Sequence, residues 1–285
     1  MEPHSLTLWL LGIKLVLYAS SLIAAGISLH LGVGIIEAEG RRRVALLVSA
    51  AAFCAIVLTT ARLFIINAQL GDGISAALDL ENFAWTWRAQ GAFSMALLAG
   101  SIAIILALSF KLPWLGIAGS LALALSFGLT GHSQALDPPG LAPWSVALPV
   151  LIAAFWFAAP FSLWPSKGLS DGALLARLER FSKIALIAIP VLFALGVWLA
   201  LRLSGGVTQL ITSAYGQALL IKLTVAGIAL GLGGVNKFMT TPIVAKDPAR
   251  GRRLLRRSLS IEALAFVAAI LLVGWATTVI GPPGS

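Results

Sequence analysis

Eight stretches of about twenty apolar residues, at 6–31, 44–66, 84–108, 112–131, 143–164, 182–203, 215–236 and 260–280, constrain this chain more than any other feature. About twenty apolar residues in a helix cross the hydrocarbon of a bilayer, and a chain so built has to satisfy its backbone inside helices. The pattern predicts an all-α membrane protein, a bundle of about eight transmembrane helices. Composition agrees: 59% of the 285 residues are hydrophobic and 11% charged, against about 25% charged in soluble domains. The longest connector, between Asn236 and Ser260, leaves no room for a soluble domain of ordinary size, so 1–285 reads as a single polytopic membrane domain. The first stretch lacks a basic n-region and a small-x-small site, and is read as helix one rather than a signal peptide.

Charge orients the bundle. Fifteen basic and six acidic residues fall in the connectors after helices one, three, five and seven, with Glu262 counted at the mouth of helix eight. The other face and the spans hold five of each sign, so the whole net charge of +9 lies on one side. Short cytoplasmic loops carry the excess of Lys and Arg, which places both termini in the periplasm and removes any need for nucleic acid as the partner of a basic chain. Membrane lipid is the expected surrounding. With Cys54 as its single cysteine, the chain forms no internal disulfide.

Several charges interrupt the apolar runs. Lys14, Arg88 and Lys222 lie early in helices that enter from the outer face, where side chains lean back toward the helix N-terminus and snorkel. Arg62 belongs to a helix running outward, leans inward and is the costlier charge. Intramembrane ionisable groups are usually paired, and the acidic outer loop "GDGISAALDLEN" supplies candidate partners. The stripe Gly227, Gly231, Gly234 in helix seven predicts a close helix–helix approach. Pro149, Pro160 and Pro190 predict kinks in or near helices five and six.

From Arg180 to Pro283 the residues carry a pattern: "RFS" before helix six, "YGQALLIK" from Tyr215 to Lys222, Asn236-Lys237 closing helix seven, "LRR" from Leu255 with Glu262 beyond, and Pro282-Pro283. This pattern resembles the CopD/PcoD copper resistance family, inner-membrane copper resistance protein D, whose core would occupy 180–283, helices six to eight. Trp87-Arg88 and Gly131-His132 are similar more loosely. Two positions depart from the family: Pro149 stands where a histidine often precedes the helix-five Trp156, and Leu195-Gly196 replaces a Thr-Gly. The resemblance implies copper transport from periplasm to cytoplasm across the bacterial inner membrane, beside a periplasmic copper-binding protein of the CopC type.

Cu(I) prefers soft sulfur and accepts imidazole. Ordered by expected depth, the candidate metal ligands are His4 and His132 at the outer face, Cys54 and Met95 near mid-membrane, and His30 and Met239 near the inner ends of helices one and seven. Packing is the alternative for each. A haem- or metal-binding redox protein and a non-transporting anchor for a copper chaperone remain alternative classes, so haem stays beside copper as a cofactor. The chain has no phosphate-binding G-x-x-x-x-G-K-[ST] and no nucleophile or H-E-x-x-H motif, and it reads as a non-enzyme. The oligomeric state is left open.

Overall fold

The computed structural model describes residues 3–71, 73–130 and 142–275. The protein is helical, and no strand occurs among the described residues. In chain order the helices are α1 (Pro3–Gly32), α2 (Ala38–Leu70), α3 (Leu80–Phe110), α4 (Pro113–Gly128), α5 (Ala142–Phe157), α6 (Ala159–Ser162), α7 (Asp171–Ser204), α8 (Val207–Thr212), α9 (Ala214–Val235), α10 (Thr241–Lys246) and α11 (Pro248–Trp275). A 3₁₀ turn, Ile74–Leu78, precedes α3, and a π-helical turn, Asn236–Thr240, joins α9 to α10. Among the described residues, five helices are long and apolar enough to cross a membrane: Leu6–Gly32, Gly40–Leu70, Leu80–Phe110, Pro143–Ser162 and Asp171–Arg202. Pro113–Gly128 is apolar but shorter.

Two helices start well before the apolar runs that announce them. Ser170 accepts a hydrogen bond from Ala173 N at 3.2 Å, so α7 begins at the basic segment "DGALLARLERFSK" rather than at Ser182. Helix α11 begins at Pro248 rather than at Ser260. Hydropathy marks where a helix enters an apolar medium, whereas capping and propensity mark where the helix starts. Glu262 is therefore the fifteenth residue of α11 and not at its mouth.

Helices α1 to α5 form one tightly packed body whose core includes Leu17, Ile27, Val48, Leu97, Ile104 and Leu123. Backbones meet directly there. A Cβ on Gly100 would lie 2.7 Å from the Gly119 carbonyl oxygen, and one on Gly119 would lie 2.7 Å from that of Gly100. A Cβ on Gly26 would overlap the Ala154 carbonyl, which joins α1 to α5. Ser120 donates to Ala25 O at 2.9 Å, stitching α4 to α1. Such small-residue contacts gain dispersion and carbonyl proximity without needing a solvent-driven hydrophobic effect.

Helices α7, α9, α10 and α11 pack beside this body around a second core of Leu29, Phe155, Leu174, Phe181, Leu255 and Leu259. The predicted stripe on helix seven does not make a close approach: a Cβ on Gly227, Gly231 or Gly234 would meet nothing within 4 Å. The close contact belongs to Gly233, where a Cβ would run into the Trp156 indole. A spacing of small residues permits close packing, but only a facing helix at that height makes it happen.

Candidate functional site

The basic residues collect at one end of the bundle, and their hydrogen bonds hold its connectors. Arg180 Nη1 donates to Gly34 O at 2.6 Å, and Arg177 Nη1 to Ser162 O at 3.2 Å. Arg43 reaches Ser166 Oγ at 3.4 Å and Gly168 O at 3.3 Å. Arg252, on α11, donates to Asp171 Oδ1 at 2.7 Å, to Ser166 O at 3.1 Å and to Leu169 O. These arginines are structural clamps as well as topological charges.

Above this basic end lies a cavity of about 210 Å³ between α5, α7, the end of α9, the π turn and α11. Its walls are apolar, with Leu178, Ala185 and Leu259 among them. Aromatic faces come from Trp156, Phe181 and Phe238, and polar groups from Glu262, Ser182, Thr241 and Lys237. Glu262 is 2% exposed. The Trp156 Nε1–H is buried and makes no hydrogen bond. Behind the cavity wall, the Phe155 and Phe181 rings stack with centroids 5.0 Å apart, and both stand edge-on to His30, at 4.6 and 5.6 Å. His30 is 0% exposed, and neither of its ring nitrogens closes a hydrogen bond, although the Phe155 backbone lies beside it. A buried polar group without a partner forfeits about 1–3 kcal/mol, so this imidazole is held there by its aromatic contacts.

The opposite end carries a different arrangement. Arg62, 8% exposed on α2, donates to Gln90 Oε1 at 2.9 Å and sits 4.7 Å over the Phe93 ring. Lys14 lies near enough to Arg62 for the two cations to repel. Among the described residues Arg62 meets an amide and a ring, and Asp72 of the acidic loop lies outside them. Asp79 is engaged elsewhere, accepting from Glu81 N at 2.9 Å and from Asn82 Nδ2 at 3.2 Å at the start of α3. Asn67 fastens that connector, donating to the carbonyls of Ala76, Ala77 and Asp79 within 3.1 Å. A carboxylate at a helix N-terminus gains the exposed N–H groups and the positive end of the helix dipole, which a guanidinium one helix away does not outbid. Arg88 is exposed, 5.0 Å from the Trp85 ring.

The predicted ligands are scattered. Met95 is 54% exposed and Met239 61% exposed on the outside of the bundle, Cys54 is half-buried on α2, and His30 is enclosed by its two phenylalanines. Among the described residues no three His, Cys, Asp or Glu side chains gather to hold a metal ion. His132 lies outside the described residues, as do the side chains of His4, Tyr215, Lys222 and Asn236. The cavity itself offers oxygen donors, which suit hard cations better than Cu(I). Sequence reasoning singled out Glu262 but missed Trp156, Phe181, Ser182 and Gly233 as its neighbours. The available signal was a carboxylate in an apolar run together with a glycine one position off the stripe.

Most of the cavity wall comes from one segment, and that segment matches a known family model, Copper resistance protein D, over residues 175–276. This segment is similar to the CopD family. A curated relative, Copper resistance protein D of Pseudomonas syringae pv. tomato, is 28% identical over 205 residues, covering 65% of this chain and 65% of the relative. The chain thus spans just under two thirds of that relative's length. No solved structure matches the chain. The CopD segment supplies α7 from Leu175, α9, α10 and α11, so the family pattern and the cavity with its buried Glu262 are the same part of the molecule.

Proposed function

We infer that the protein handles copper at the bacterial inner membrane and moves it from periplasm to cytoplasm. One observation carries this reading: the match of 175–276 to the copper resistance family model coincides with the helices that enclose a buried acid and an apolar cavity. In this reading the chain crosses the bilayer eight times and both termini are periplasmic. The clustering of Arg43, Arg177, Arg180 and Arg252 at one end supports that orientation, since basic loops stay in the cytoplasm. Copper enters from the end where α1 starts, with His132 as the first imidazole and a CopC-type protein as the donor. The chain is a carrier and not an enzyme.

Uptake of Cu(I), Cu(II) and Zn(II) into vesicles containing the purified protein tests the reading. Copper accumulation above empty vesicles is expected, falling with His132→Ala and falling as pH drops below about 6.5, because protonation removes the imidazole lone pair. No copper accumulation in any oxidation state would overturn transport. Reporter fusions after Arg43, Ser182 and Arg257 are expected in the cytoplasm and those at Asp79, Asp137 and Ser285 in the periplasm; a cytoplasmic Ser285 would remove one span.

A further inference from the structure

Helix α11 presents two opposite faces. Gly251, Leu255, Leu259 and Glu262, at spacings of four, four and three, are buried against the bundle. The other face is exposed and changes character along its length. Arg250, Arg253, Arg257, Leu264 and Leu271, at spacings of three, four, seven and seven, fall in one line down the helix, with the exposed Ile261 and Val267 flanking its apolar part. Orientation by charge requires basic residues at this end of the bundle, but it does not require them in line with an apolar stripe.

The arginines of this line are not used by the fold. Among the described residues their guanidiniums have no hydrogen-bond or ion-pair partner, whereas Arg252 beside them points inward and is held by Asp171, Ser166 and Leu169. The acid next to them in sequence, Asp247, accepts from the Arg250 backbone N–H at 3.0 Å and caps the helix. Arg250 in the first turn also faces the positive end of the helix dipole, which favours an anion there.

The length of the apolar part matches one leaflet. Ile261 to Leu271 is ten residues of rise, about 15 Å at 1.5 Å per residue, and half the hydrocarbon thickness of about 30 Å. Arg257 stands one turn before it, at the level of the headgroups. An acyl chain lying along the stripe brings its phosphate beside Arg257 and Arg253, whose planar forks match phosphate oxygens. A zwitterionic headgroup would bring an ammonium into the same row of guanidiniums, and a lipid of net negative charge does not. We propose that the outer face of α11 binds an inner-leaflet phospholipid of net negative charge, with its phosphate on Arg253 and Arg257 and its acyl chain along Ile261, Leu264 and Leu271. The site is independent of copper transport. It takes from the function proposed above only that α11 crosses the bilayer from its basic end, which the Ser285 fusion tests separately.

The test uses the full chain in phosphatidylcholine nanodiscs carrying a small fraction of phosphatidylglycerol with a diazirine in its acyl chain, and the cross-linked peptides are mapped. Label is expected on α11 between Ser260 and Leu271, competed by unlabelled phosphatidylglycerol at least about tenfold better than by phosphatidylethanolamine. Arg253→Gln combined with Arg257→Gln is expected to lower the α11 label at least about tenfold, the joint effect of two basic residues near an anionic headgroup. Arg42→Gln combined with Lys167→Gln removes the same charge from exposed positions off this face and is expected to leave the label unchanged. On the unaltered chain, raising the salt concentration is expected to abolish the preference for phosphatidylglycerol, which keeps the site testable should the first pair not insert. Label spread evenly over the exposed apolar helices, equal competition by the two lipids, or a preference indifferent to salt would overturn the proposal. So would α11 label retained in a folded Arg253 and Arg257 pair, or lost equally in the Arg42 and Lys167 pair.

Discussion

The body of α1 to α5 and the CopD segment are made of the same kinds of residue and packed on different terms. In the first, glycines sit where two backbones touch, at Gly26 against Ala154 and at Gly100 against Gly119. In the second, Gly227, Gly231 and Gly234 face open space, and the helices stand apart around a cavity. Close backbone contact makes a body that moves as a unit, because packed interiors respond to volume changes of a single methylene. A cavity bordered by the open Gly234 and a π-helical turn leaves room for an occupant. The lesson is that glycine content does not distinguish a rigid region from an open one; what faces the glycine does.

The comparison breaks most readily at its glycines, where the largest effect is expected. Gly26→Leu forces a side chain into the Ala154 carbonyl and is expected to abolish the folded protein or to cost about 3 kcal/mol or more, since overpacking against backbone finds no rotamer escape. Gly231→Ala on α9 is expected to be neutral or to stabilise by up to about 1 kcal/mol through helix propensity. Thermal melts in detergent of the two variants decide it, and equal destabilisation would mean that α9 is packed as tightly as α1.

A smaller effect separates the charges of the two ends. Arg62→Met deprives Gln90 of its donor and Phe93 of its cation, and is expected to destabilise by about 1–3 kcal/mol. Arg88→Met, on an exposed surface, is expected to stay within about 0.5 kcal/mol. Denaturant titrations of both test this, and a tolerant Arg62 would show that its burial is incidental.

The smallest effect concerns the clamps of the basic end. Arg252→Lys keeps the charge and loses the fork that reaches Asp171, Ser166 and Leu169 together, so about 1 kcal/mol is expected. Asp171→Asn is expected to cost less, because Asp171 is half exposed. Proteolysis of the connector around residues 163–170 reads both. If Asp171→Asn is the more damaging, the ion pair rather than the backbone bonds holds this end.

Much of this architecture was legible in the residues. The apolar runs located the helices, and the Lys and Arg distribution located the basic end, because both reflect transfer of whole segments between water and an apolar medium, a property that depends little on neighbours. Arg62 was recognisable as a costly charge for the same reason. Its described partner was not: packing brought Gln90, twenty-eight residues away, to 2.9 Å. The starts of α7 and α11 were missed because amphipathic basic helix has no hydropathy signal at its boundary.

What the sequence by itself determined is the set of apolar helices, the polarity of charge between their ends and the family pattern from Arg180 onward, all of which follow from local composition and order. The tertiary structure alone decided which groups meet. It placed Glu262, Trp156, Ser182 and Phe181 around one cavity, enclosed His30 between two phenylalanines, turned Met95 and Met239 outward and left the glycine stripe uncovered. Helical periodicity assigns a side chain to a face, but the rotation and height of each helix against the next follow from packing all of them at once. A site assembled from four helices is therefore decided by that packing and by nothing local to any one of them.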